Sequence, residues 1–238
     1  MKIQNSWKND LLLLITYFFL YTLVLSLLLA FAARYISIFQ NGVVYYGCYG
    51  AGTLLTFLIF LSQKKKMLRE DFEKFCAHLG KNCRVVILTL LIIYLCNILI
   101  SFLLLHLHIS NQNQNVLSGL AAGGYLWLLI LLALVFAPVV EELVFRNIIF
   151  NRLYAKNHIL AYLVSMLTFS LLHGAAVLTR GRPQDVLATL SYLPLAFFLC
   201  RLYETRKNMI FPIALHFVNN LVAVLLLLLL QAVKGANP

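Results

Sequence analysis

The chain has 238 residues, 62% hydrophobic and 11% charged, with a mean hydropathy of +0.89. A water-soluble domain carries roughly 25% charged residues, so the composition excludes one and indicates an all-α bundle of transmembrane helices. The net charge of +11 flanks apolar stretches, where it reports membrane orientation and not nucleic-acid binding. Five scattered cysteines (Cys48, Cys76, Cys83, Cys96 and Cys200) form neither a disulfide framework nor a zinc knuckle.

Residues 11–33 carry no charge and read as the first span. The run is longer than the apolar core of a signal peptide, although Ala30-Phe31-Ala32 mimics a cleavage site. A second span covers 42–62 and stops at Lys64-Lys65-Lys66. In the polar stretch 63–84, Leu68, Phe72, Phe75 and Leu79 recur at helical spacing among Arg69, Glu70, Glu73 and Lys74. That pattern reads as a helix on the membrane surface or as a solvated loop. Further spans cover 85–106, 117–138, 159–177, 186–200 and 209–230. Pro194 and Pro212 fall inside the last two, where a kink needs protein or a wet cavity to satisfy the freed backbone.

The count is thus about seven spans, an eighth at the C-terminus being left open. They form one membrane domain, 1–238, with N-terminal spans over 1–116 and a helical core over 117–231. Placing the N-terminus in the cytoplasm puts fifteen of the nineteen basic residues on that side, the bias expected of a multi-pass protein of the cell membrane.

Charge at membrane depth costs at least ~2.5 kcal/mol per group. Asp10, Glu70, Asp71, Glu73, Asp185 and Glu204 are read as lying in tails or loops, leaving only Glu141 and Glu142 embedded. His173 and His216 lie well inside their spans. Three pairs are spaced by four residues: Glu142 with Arg146, Phe169 with His173, and His216 with Asn220. Each pair shares a helix face, so three helices can aim a carboxylate, two imidazoles and an amide at one spot. For Glu141 to reach His173, its helix must continue past Arg146 through Ile148-Ile149-Phe150. Taken singly, an intramembrane His or Asn is ordinary interhelical glue. The whole set, in one order, reads as a site.

At these residues the chain resembles the CAAX-protease and bacteriocin-processing (Abi) family of intramembrane endopeptidases. Its motifs E-E-x-x-x-R, F-x-x-x-H and H-x-x-x-N read here Glu141-Glu142-Leu143-Val144-Phe145-Arg146, Phe169-Ser170-Leu171-Leu172-His173 and His216-Phe217-Val218-Asn219-Asn220. The resemblance implies that Glu141 and His173 activate a water, Glu142 and Arg146 fix local geometry, and His216 and Asn220 stabilise the oxyanion. It also implies a substrate contact at Phe169. The expected substrate is a membrane-associated peptide or protein precursor, in keeping with peptide maturation at a bacterial plasma membrane. No cofactor is favoured. Zinc held by Glu141, His173 and His216 is the alternative, although H-E-x-x-H is absent. A non-catalytic scaffold or self-immunity protein and a proton-coupled transporter are the other readings.

Overall fold

The computed structural model describes residues 6–109, 119–121, 123–173 and 183–236. Seven helices account for most of them. These are α1 (Trp7–Tyr35), α2 (Gly42–Cys76), α3 (Leu79–His106), α4 (Leu126–Tyr154), α5 (His158–His173), α6 (Leu193–Arg206) and α7 (Ile210–Ala236). Six of these stretches are long and apolar enough to cross a membrane, α6 being counted with the turn before it as Val186–Arg206, and α5 is a shorter apolar helix. The chain is therefore a multi-pass helical bundle.

Burial ranks the helices. In the most apolar window of α4, 61% of residues are buried inside the protein, against 17–22% for α1, α2, α3 and α7. Outer helices keep lipid-facing Leu, Ile and Phe exposed, whereas α4 is hemmed in, with Leu143 through Ile148 all buried. The α4 helix continues without a break past Arg146 to Tyr154, as the reach of Glu141 toward His173 requires. Its middle is wound as wide π turns over Leu131–Glu141 and Leu143–Phe150, as is α1 over Ile15–Leu25. At the other end of α4, a Cβ on Gly50 would lie 2.8 Å from the Trp127 ring, so α2 approaches α4 closely there.

Several expectations need correction. Residues 63–76 form neither a separate surface helix nor a loop but extend α2 to Cys76, and α3 begins after a two-residue turn at Leu79. Thirty-five residues at 1.5 Å each give α2 a length of ~52 Å, well beyond the ~30 Å of a hydrocarbon core. Pro194 does not kink a helix, because it sits in the first turn of α6, where its missing N–H costs nothing. Asp10 and Asp71 are not solvated tail and loop residues, being 3% and 9% exposed.

The reason lies at the helix ends that cluster around Asp10. Its Oδ1 is 3.1 Å from Lys64 Nζ, and its Oδ2 accepts from Arg152 Nε at 2.7 Å. Lys64 Nζ also donates to Asn147 Oδ1 at 2.7 Å, and Asn147 Nδ2 reaches Tyr203 Oη at 3.3 Å. The start of α1, the far part of α2, and the ends of α4 and α6 are thus tied by one buried polar network. Beside it, Asp71 Oδ2 accepts from Met209 N and Asp71 O accepts from Asn208 Nδ2, both at 2.7 Å. A carboxylate of α2 therefore caps the N-terminus of α7. Lys64, placed by composition in a stop-transfer cluster, is 4% exposed and pairs inward.

Removing one member of a buried ion pair strands its partners and costs about 3 kcal/mol or more. Asp10→Ala is therefore expected to lower the thermal midpoint of the detergent-solubilised protein by several degrees more than Glu73→Ala, which removes an exposed pair with Arg69. Equal midpoints would contradict the tying role of Asp10.

Candidate active site

Glu142 lies at the centre of the site and is completely buried. Its Oε1 accepts from Arg146 Nη1 at 3.0 Å, one turn along α4, and lies 2.8 Å from His216 Nδ1 on α7. Arg146 is itself 0% exposed. It donates from Nη2 to Ala196 O of α6 at 3.2 Å and lays its guanidinium over the Phe169 ring of α5 at 4.5 Å. One cation thus faces a carboxylate, a carbonyl and an aromatic face, a combination that suits a planar guanidinium fork better than a compact ammonium. Four helices, α4 to α7, meet at this pair.

Phe169 is 0% exposed and also packs against His173 and His216, with ring centroids 4.4 and 5.7 Å apart. It sits behind the imidazoles and does not face an opening. His173 Nδ1 is 2.9 Å from Phe169 O, one turn back on α5. An Nδ1 proton given to that carbonyl leaves Nε2 as the acceptor nitrogen. Nε2 is 3.7 Å from Glu141 Oε2. The side chains of Glu141 and His173 keep 12% and 18% exposure, whereas those of Glu142, Arg146 and His216 have 0–1%. Glu141 Oε2 and Glu142 Oε2 are both buried atoms that make no hydrogen bond within the protein.

The adjacent acids are thereby separated in role. Glu142 is locked in a closed ion cluster, and Glu141 stands at the partly open edge beside an imidazole. Just upstream in its helix lies Pro138, which cannot donate the i→i−5 bond of the π turn to Ala133 O. Asn220 Nδ2 takes that carbonyl instead, at 2.9 Å, while its Oδ1 accepts from Asn219 Nδ2 at 3.2 Å. Asn220 is thus partly committed to repairing the α4 backbone.

All six polar motif residues, together with Phe169, lie on α4, α5 and α7 around this point. Sequence spacing did not reveal that Glu142 also holds His216, because the two are 74 positions apart. It also missed Tyr17 of α1. That ring is 2% exposed and packs on Phe136 and Phe145, which flank Glu141 on α4, and its hydroxyl interacts electrostatically with Glu141.

Both imidazoles engage Nδ1 within the protein, His216 with Glu142 at 2.8 Å and His173 with Phe169 O at 2.9 Å. Each keeps Nε2 for a further partner, the nitrogen through which Glu141, His173 and His216 would hold a zinc ion.

Residues 123–222 match the family model described as type II CAAX prenyl endopeptidase Rce1-like. That stretch holds all three motifs, so the resemblance read from them is borne out there. Over 119 residues the chain is also 29% identical to a protein of Bacillus subtilis (strain 168) named "Putative membrane peptidase YdiL", covering 50% of this chain and 45% of that protein. The chain thus spans about half the length of the curated relative it matches. No solved structure matches.

Arg146→Lys keeps the charge but loses the contact with Ala196 O and the flat cover on Phe169. It is expected to destabilise the fold by about 2 kcal/mol. Thermal melts in detergent check this, and an unchanged midpoint would show that charge alone suffices.

Proposed function

We propose that the chain is an intramembrane endopeptidase that hydrolyses a peptide bond in a membrane-associated peptide or protein precursor. The observation that supports it best is the 3.7 Å separation of Glu141 Oε2 and His173 Nε2 at the only partly exposed part of a sealed ion cluster. One water can hydrogen-bond both groups at about 2.8 Å from each. Glu141 takes a proton from that water while its oxygen attacks the scissile carbonyl, and His173 orients it. As the tetrahedral intermediate collapses, Glu141 returns the proton to the departing amine, so charge and protons balance.

The developing oxyanion is assigned to His216 and Asn220, Asn220 offering its second Nδ2 hydrogen beside the one given to Ala133. A His216 ring that gives its Nδ1 proton to Glu142 donates from Nε2 only as an imidazolium, which the Glu142 carboxylate would stabilise. Phe169 supports both imidazoles from behind. The reaction is proposed to need no metal. The family description names prenylated CAAX termini, and the curated relative is bacterial. We take the substrate to be a peptide precursor at a bacterial plasma membrane, with the N-terminus of this chain in the cytoplasm.

The test is cleavage of quenched fluorogenic peptides, with and without a C-terminal S-farnesylcysteine tripeptide extension, by the full chain in proteoliposomes. Glu141→Gln and His173→Ala are each expected to lose at least ~100-fold in kcat at unchanged membrane abundance. No cleavage by the wild-type chain, or wild-type rates in both variants, would defeat the reading. In the same preparation zinc is expected to be substoichiometric, with activity surviving chelator. Stoichiometric zinc together with chelator-sensitive cleavage would replace the metal-free step by a metal-dependent one.

A further inference from the structure

Tyr192 belongs to none of the three motifs. It closes the 3-10 turn Pro183–Tyr192 that leads into α6, and its ring is half-buried. The ring centroid is 4.9 Å from that of His173, with the planes inclined by 35°. His173 also packs on Phe169 at 4.4 Å with an inclination of 37°, and its Nδ1 is held at Phe169 O. Those last two restraints come from its own helix, one turn away. They move with α5, and a single hydrogen bond at one ring edge leaves the imidazole free to swing about that edge. Tyr192 restrains the ring from a different element.

We infer that Tyr192 is a positioning residue for His173, its ring holding the imidazole so that Nε2 stays turned toward Glu141. This rests on the protease reading above. The Glu141–His173 pair is 3.7 Å apart and is not closed by a direct bond. A rotation of the ring would therefore separate the two groups that must touch one water. Misplacement of reacting groups by ~1 Å can cost two orders of magnitude in rate, so a modest stacking contact is amplified into a catalytic effect. The segment that carries Tyr192 also continues into α6, whose Ala196 O binds Arg146. The buried ion cluster and the open edge of the site are thus registered by one element.

The experiment compares Tyr192→Leu and Tyr192→Phe in full-length protein in proteoliposomes, with the fluorogenic peptide that the wild-type chain cleaves fastest. Tyr192→Leu is expected to lower kcat about tenfold with KM unchanged, and Tyr192→Phe, which keeps a ring on His173, to restore at least half of the wild-type kcat. If the Leu variant does not accumulate, Tyr192→Met takes its place with the same expectation. Wild-type kcat in the Leu or Met variant, a loss confined to KM, or a Phe variant as slow as the Leu variant would overturn the inference. Glu141→Gln in the same plates separates the two claims. An inactive Glu141→Gln beside a fully active Tyr192→Leu defeats the positioning role alone, whereas an active Glu141→Gln defeats the protease reading beneath it.

Discussion

A fully buried guanidinium can persist inside an apolar bundle only where its charge is answered, and Arg146 has three such partners although its Nε makes no hydrogen bond. Glu142 neutralises it, Ala196 O accepts from it and Phe169 covers it. These partners come from α4, α5 and α6, and Glu142 reaches α7 through His216. The desolvation cost of the pair is of order several kcal/mol per ion, so the surrounding helices cannot slide without exposing an unpaired charge. The relative placement of four helices follows from one side chain. Glu141 gains its own setting by contrast: because Glu142 answers Arg146, the neighbouring carboxylate is left to the partly exposed edge.

A second buried network ties α1 and α2 to α4 and α6. Asp10 pairs with both Lys64 and Arg152, and Asn147, next to Arg146 in the chain, accepts from Lys64. The two polar clusters thus occupy successive turns of α4. An otherwise hydrophobic bundle, in which lipid competes for every apolar contact, has polar pairing as its specific adhesive. That explains why α4, with the greatest burial, is also the helix richest in such contacts.

Much of this architecture was legible in the sequence. Hydropathy located the spans because bilayer thickness imposes a length on each. The motif spacing located the site because residues four apart share a helix face. The continuation of α4 past Arg146 followed from depth alone. Asp10, Lys64 and Asp71 were misplaced because a charge near the end of an apolar run reads as solvated unless its partner is known, and those partners lie 54, 83 and 138 positions away. Periodicity marked the span around Pro194 without showing that a 3-10 turn gives way there to an α-helix beginning at Leu193. Tyr17 and Tyr192 carried no signal, being single aromatic residues among many in a chain with 12 tyrosines.

The cap that Asp71 places on Met209 N has a bearing on how such proteins diversify. The helix carrying His216 and Asn220 starts on a carboxylate supplied by α2, outside the stretch that matches the family model. The recognisable part therefore contains a helix whose start is completed from outside it. A recombinant joining the first three helices of one relative to the remainder of another would inherit a helix start without its anion, unless residue 71 and the turn at 208–209 travelled as a pair. Divergence across this boundary is accordingly constrained to be concerted, and coupled substitution at these positions is the trace it would leave among related chains.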